Sequence, residues 1–191
     1  MVDRTSPLGA HTALLAALPP SVEARELPFL TQLNVRLDPA GPAGAAVALL
    51  LGAGLPTTPC TAASAGEHEV LWLGPDEWLV VAPAGRADGL VATLRAAIGS
   101  ERGAVTDVSA QRTAVVVRGS GARELLAKGC SIDLHPRVSP RGTCVQTLLA
   151  QTGVTLVVHD DEASDFLLLV RASFAAYLAG WLADAAVELT A

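Results

Sequence analysis

In Gln32-Leu33-Asn34-Val35-Arg36-Leu37, polar and apolar residues alternate without a break. A period of two puts Leu33, Val35 and Leu37 on one face of an extended chain, so the stretch reads as a strand with one face on a core. The apolar segments that follow are short and cut by glycine and proline. Asp38-Pro39-Ala40-Gly41-Pro42 is a turn or loop, Ala45–Leu51 reads as a more buried strand, and 52–66, rich in Gly, Pro, Thr and Ala, reads as a loop. Glu69–Leu73 and Trp78–Val81 read as strands joined by a tight turn. Pro75 suits the second position of that turn, and Asp76 can hold it with its own side chain.

The rest mixes strand and helix in the same short units. Asp88–Ile98 is helical, with Leu90, Val91, Leu94, Ala97 and Ile98 on one face and Gly99 at the end. Thr113–Arg118 reads as a strand. Gly119-Ser120-Gly121 then leads into a short helix that Ser120 can cap and Gly129 can end. Val145–Ala150 and Val154–His159 flank Gln151-Thr152-Gly153, a hairpin turn, and Phe166–Val170 is a further strand. In the final helix Phe174, Tyr177, Leu178, Trp181, Leu182 and Ala185 form one stripe, with Ser173 placed to cap it. Residues 1–28 read as an N-terminal arm lying on the chain's own surface or a partner's. Prolines 7, 19 and 20 break it, and it has room for a short helix at Thr12–Leu18.

Strands outnumber helices and come as hairpins and β–turn–α units. The expected class is α+β, mostly antiparallel sheet with flanking helices. The 191 residues suffice for one ordinary domain or two small lobes sharing a core, and a dip in composition at Gly99–Gly103 marks a seam. Half the residues are hydrophobic but only 4% are aromatic, so the core is aliphatic.

Charge and cysteine content exclude several functions. The net charge is −6 and the arginines are scattered singly, which disfavours nucleic acid and anionic membrane as partners. Cys60, Cys130 and Cys144 are odd in number and widely spaced, which argues against a disulfide framework and fits a reducing cytoplasm. Leu14, Leu15 and Leu18 run straight into Pro19-Pro20 and Glu23, too short and broken for a signal peptide or membrane span.

Candidate chemistry fails one part at a time. Gly52-Ala53-Gly54 has Pro56 where a nucleotide-binding helix would begin, and Gly119-Ser120-Gly121 has Glu124 at the third glycine position. Cys130, His135, Cys144 and His159 lack a close metal-ligand pair. Ser109, His135 and Asp107 could make a hydrolytic triad, but no Gly-x-Ser-x-Gly elbow surrounds a serine, and His135 before Pro136 suits a backbone bond. Asp107 and Arg112 can pair to fix a turn or orient a ligand. Arg171 can pair with an acid or face a partner. Trp72 and Trp78 suit either an interface or a core, and Trp181 a core.

Five motifs in order carry more. These are Leu73-Gly74-Pro75-Asp76-Glu77-Trp78-Leu79, Asp107-Val108-Ser109-Ala110-Gln111-Arg112, Cys130-Ser131-Ile132-Asp133-Leu134-His135-Pro136, Gly142-Thr143-Cys144-Val145-Gln146-Thr147, and Val170-Arg171-Ala172-Ser173-Phe174 opening the terminal helix. The series, from about Glu69 to the C-terminus, resembles the gamma subunit of heterotetrameric sarcosine oxidase. The resemblance implies a domain over 29–191 built as small intertwined lobes, related to the folate-binding domain of the T-protein aminomethyltransferases. It implies alpha, beta and delta subunits as partners. FAD, FMN, NAD, folate and zinc are expected on those partners, and no cofactor, metal or catalytic residue in this chain. The complex would turn sarcosine, O2 and tetrahydrofolate into glycine, H2O2 and methylene-tetrahydrofolate in the cytoplasm. Trp78, Asp107, Ser109, Arg112, Asp133, His135, Pro136, Arg171, Ser173 and Phe174 are then structural or interface residues. Asp107 resembles a strand position of the T-protein fold, but its folate role is not carried over. The family tends toward Arg-Ser after the first arginine, where this chain has Ala172. The alternative is a stand-alone folate-binding or aminomethyltransferase-like protein. A third reading is a gamma-like subunit of another N-methylamino-acid oxidase, such as one for dimethylglycine.

Overall fold

A computed structural model describes residues 4–189. The chain forms two compact units, one of residues up to 28 together with 111 onward, the other of 29–110. The chain changes unit at 28/29 and 110/111, not at 99–103.

The 29–110 unit holds β2 (Thr31–Leu37), α2 (Pro42–Leu51), β3 (Ala62–Ala65), β4 (His68–Gly74), β5 (Glu77–Ala82), α3 (Ala87–Ile98) and β6 (Gly103–Asp107). Its sheet runs β3-β4-β5-β2-β6, all antiparallel. The alternation read at 32–37 sets the register: Leu33, Val35 and Leu37 are buried among Val47, Trp78, Val80, Leu94 and Val105. The turn at 75–76 closes β4 onto β5 with a bulge between Trp72 and Gly74.

Two expectations are corrected here. The run at 45–51 is a helix, not a strand. Pro42 occupies the first turn, and Gly52 ends the helix in the left-handed conformation at φ 66°. A run apolar on every side has no period to betray it, and Leu49 stands 85% exposed. Gly44 lets the helix approach the main chain: a Cβ there would lie 2.5 Å from the Pro39 carbonyl oxygen. The loop at 52–66 contains β3, whose Ala and Ser residues have little strand preference and are held by pairing with β4.

The other unit holds α1 (Thr12–Ala16), β1 (Glu23–Leu27), β7 (Arg112–Arg118), α4 (Ala122–Ala127), β8 (Cys144–Leu149), β9 (Thr152–Val158), β10 (Asp165–Arg171) and α5 (Ala175–Ala186). Its sheet runs β1-β7-β10-β9-β8, again antiparallel. Residues 8–27 are thus built into this unit: β1 pairs residue by residue with β7, and Leu8 and Leu15 join its core. The hairpin turn falls at 150–151, with Ala150 at φ 52°, rather than at 151–153.

Neither serine caps its helix. The position before α4 is Gly121, the one before α5 is Phe174, and neither makes a side-chain cap bond. A turn of 3-10 helix at 172–174 carries Ser173 past the cap position. The buried stripe of α5 is Ala175, Leu178, Ala179, Leu182 and Ala186, while Phe174 and Tyr177 are 43% and 40% exposed. Small alanines let the helix lie close on the sheet, and that rotates the aromatics outward.

At 159–165 the chain is tied by one carboxylate. Asp160 accepts from the main-chain N–H groups of Ser164 (2.7 Å) and Asp165 (3.1 Å) and from the Ser164 hydroxyl. Burial alone would raise its pKa, but these donors outweigh burial and hold it below the ordinary carboxylate value. A folded pKa below the unfolded one gives stability that is full above the ordinary range and is lost as pH falls through the folded value. Asp160→Ala is expected to cost about 1–2 kcal/mol at neutral pH. Its deficit against wild type should shrink as urea titrations are moved below about pH 4.

Candidate functional site

Trp78 lies on β5 opposite Val35 and Trp72 and is fully buried. Its indole N–H donates to the Pro56 carbonyl at 2.8 Å, so it ties the 52–61 loop to the sheet. Of the two readings open for it, the core one holds. Trp181 packs partly buried beside the other core, where a Cβ at Gly129 would lie 2.5 Å from its ring.

Asp107 ends β6. Its carboxylate accepts from the Ser109 N–H (2.9 Å) and from the Ser109 hydroxyl (2.5 Å). That hydroxyl in turn accepts from the Gln32 N–H at 2.9 Å, and Val108 N–H donates to the Gln32 carbonyl. The group thus pins the end of β6 to the start of β2. A hydroxyl whose proton rests on a carboxylate and whose lone pair holds a backbone N–H is a clasp, not a nucleophile awaiting a base. Ser109→Ala is expected to lower stability by about 1–3 kcal/mol by leaving the Gln32 N–H without its acceptor, read by urea denaturation.

Asp133, His135 and Pro136 belong to the other unit. Asp133 accepts from the His135 N–H at 2.8 Å, and His135 Nδ1 accepts from the Arg137 N–H at 3.2 Å. The His135 carbonyl accepts from Val138 and Ser139, and the Ser139 hydroxyl donates to the Asp133 carbonyl. His135 is therefore a turn-builder here. Arg112 opens β7 and donates to Gln111 at 2.6 Å, and it stands opposite Arg171 in register. Arg171, Ser173 and Phe174 are exposed where β10 hands over to α5.

Three of the four glycines in the two pairs have structural roles, and Gly54 faces open space. Gly52 closes α2. Gly119 and Gly121 crowd against Ser21, where added Cβ atoms would lie 2.3 Å from its carbonyl oxygen and 3.0 Å from its hydroxyl. A phosphate cradle needs such glycines turned to open space. Among the described residues no group of three His, Cys, Asp or Glu is placed to hold a metal ion. Cys60 is exposed, Cys130 half-buried and Cys144 buried, and burial pushes the Cys130 thiol up. A cleft of about 580 Å³ in the 29–110 unit is lined by Arg36, Asp38, Asp76 and Arg102, and Arg36 is already committed to both oxygens of Asp76 at 3.0 and 2.9 Å. No described helix is long and apolar enough to cross a membrane.

The fold these elements make is that of the aminomethyltransferases of the glycine cleavage system. The enzyme T from Bartonella henselae superposes with a TM-score of 0.60 at 16% identity, over 92% of this chain and 49% of that one, and shares the fold. That likeness is one of fold, and the family is given by sequence. The model of the "Sarcosine oxidase, gamma subunit family" matches residues 36–188, and the chain belongs to this family. The match begins well before Glu69, where the motif series starts. Sarcosine oxidase subunit gamma of Arthrobacter sp. is 40% identical over 169 residues, 88% of this chain and 81% of that protein. A chain of the heterotetrameric sarcosine oxidase from Corynebacterium sp. U-96, solved with pyrrole 2-carboxylate, superposes with a TM-score of 0.89 at 36% identity, over 98% of this chain and 97% of that one.

Proposed function

We propose that this chain is the gamma subunit of a heterotetrameric sarcosine oxidase, and that its contribution is to assemble and stabilise the complex. The observation that carries the reading is the near end-to-end likeness, in sequence and backbone, to a chain of a heterotetrameric sarcosine oxidase. The fate of the motif polar groups supports a non-catalytic part. Asp107, Ser109, Asp133 and His135 are all engaged in hydrogen bonds that hold turns and strand ends. In this reading the partners are alpha, beta and delta subunits in the cytoplasm. FAD, FMN, NAD, folate and zinc reside on those partners. The complex oxidises sarcosine with O2 and passes the one-carbon unit to tetrahydrofolate, giving glycine, H2O2 and methylene-tetrahydrofolate.

Purified alone, the chain should show no flavin absorbance and no sarcosine-dependent peroxide. Titration with tetrahydrofolate followed by calorimetry should give no heat of binding. Micromolar binding by the isolated chain would favour a stand-alone folate-binding protein instead, and turnover by it would end the proposal.

A further inference from the structure

We infer that the loop 133–141 is a docking element, and that it meets an acidic protein surface with an apolar recess on another subunit. The inference rests on the reading of the chain as part of an assembly. It starts from the Asp133–Pro136 motif, whose hydrogen bonds build a fixed loop without explaining what that loop presents. Leu134 and Ser139 are buried and root it, Pro136 and Pro140 restrict its backbone, and Thr143 N–H closes it by donating to the Pro140 carbonyl. A loop so ordered loses little freedom on association.

What it turns outward is Arg137, Val138 and Arg141. Val138 is 62% exposed. Neither guanidinium meets a described carboxylate; in the same unit Arg25, Arg118 and Lys128 are paired with Glu23, Asp165 and Glu188, while Arg123 and Arg171 are also without one. Here two such guanidinium groups flank an exposed valine within five residues, on a chain of net charge −6. Guanidinium groups take carboxylates two-pronged, and an aliphatic side chain between them supplies the dry centre of a small interface. A phosphate polymer or anionic bilayer calls for a run of cations, and only two are offered here. The complementary surface is therefore protein, with carboxylates around an apolar recess.

The test uses the whole complex. This chain is co-expressed with the other subunits, one of which carries an affinity tag, and the amount retained is measured at about 50 and about 500 mM salt. Wild-type retention should fall at the higher salt. The R137E/R141E pair and V138D should each lower retention about tenfold or more at low salt, with the melting temperature of the isolated chain unchanged. Arg102→Glu, on the other unit, should retain normally. If the charge reversals unfold the chain, R137Q/R141Q keeps the volume and should remove the salt dependence. Normal retention of R137E/R141E or of V138D, or salt dependence that survives R137Q/R141Q, overturns the inference and leaves the functional reading standing. A wild-type chain that never associates overturns both.

Discussion

Trp78→Ala should lower stability by about 3–5 kcal/mol, the largest loss from any single side chain here. Trp78 is the biggest fully buried residue in a chain with only seven aromatics, and the core around it is otherwise aliphatic. Val35, Val80, Leu94 and Val105 cannot collapse into the space it would leave, because each is fixed on its own strand or helix. The change also strips the Pro56 carbonyl of the indole N–H it accepts at 2.8 Å. Trp78→Phe separates the two effects. It keeps most of the volume and removes the donor, so its cost should be nearer 1–2 kcal/mol. Urea denaturation of both variants checks this. Equal losses would mean that the hydrogen bond, not the packing, dominates.

Gly119→Ala should be nearly as severe, at about 3 kcal/mol or more. Two independent causes act together. Gly119 sits at φ 113°, a conformation that side chains rarely adopt. An added Cβ would also lie 2.3 Å from the Ser21 carbonyl oxygen, which is backbone and cannot swing aside. That carbonyl accepts from Gly121, and Gly119 N–H donates to Ser164, so the clash would pull on several connections at once. Gly180→Ala is the matched control. A Cβ there meets nothing, the position is inside α5, and alanine should stabilise by about 0.5–1 kcal/mol. Opposite signs from the same chemical change in one unit would establish that the close approach at Ser21 is the reason glycine stands at 119.

The parts of the fold legible in the sequence are those whose signal is local. Strict alternation at 32–37 gave β2, Pro75 and Asp76 gave the β4–β5 turn, and Leu94 and Ile98 gave the buried face of α3. The failures are equally local in cause. Ala45–Leu51 has no period, so only Pro42 and Gly52 at its ends mark it as helix. Glu23-Ala24-Arg25-Glu26-Leu27 has no strand preference and becomes β1 because β7 offers it partners 87 to 95 residues away, Leu27 against Ala114 and Glu23 against Arg118 at the ends of the register, a separation set by the inserted 29–110 unit. No window of sequence contains that information. The same holds for the site. The motifs were readable as turns, but the clasp from Ser109 to Gln32 spans 77 residues and is seen only once β6 lies beside β2.

What the residues build throughout is shape: clasped strand ends, close-packed glycines and a rigid loop. The direct test of the account is to leave this chain out. The partner subunits of the proposed complex should be expressed with and without it, purified through a tag on one of them, and assayed for native mass and for sarcosine-dependent peroxide. Without this chain the complex should fail to reach its full mass even after allowing for the missing subunit, and peroxide production should fall with it. A complex of the three remaining subunits that assembles fully and turns over sarcosine at the normal rate would contradict the account.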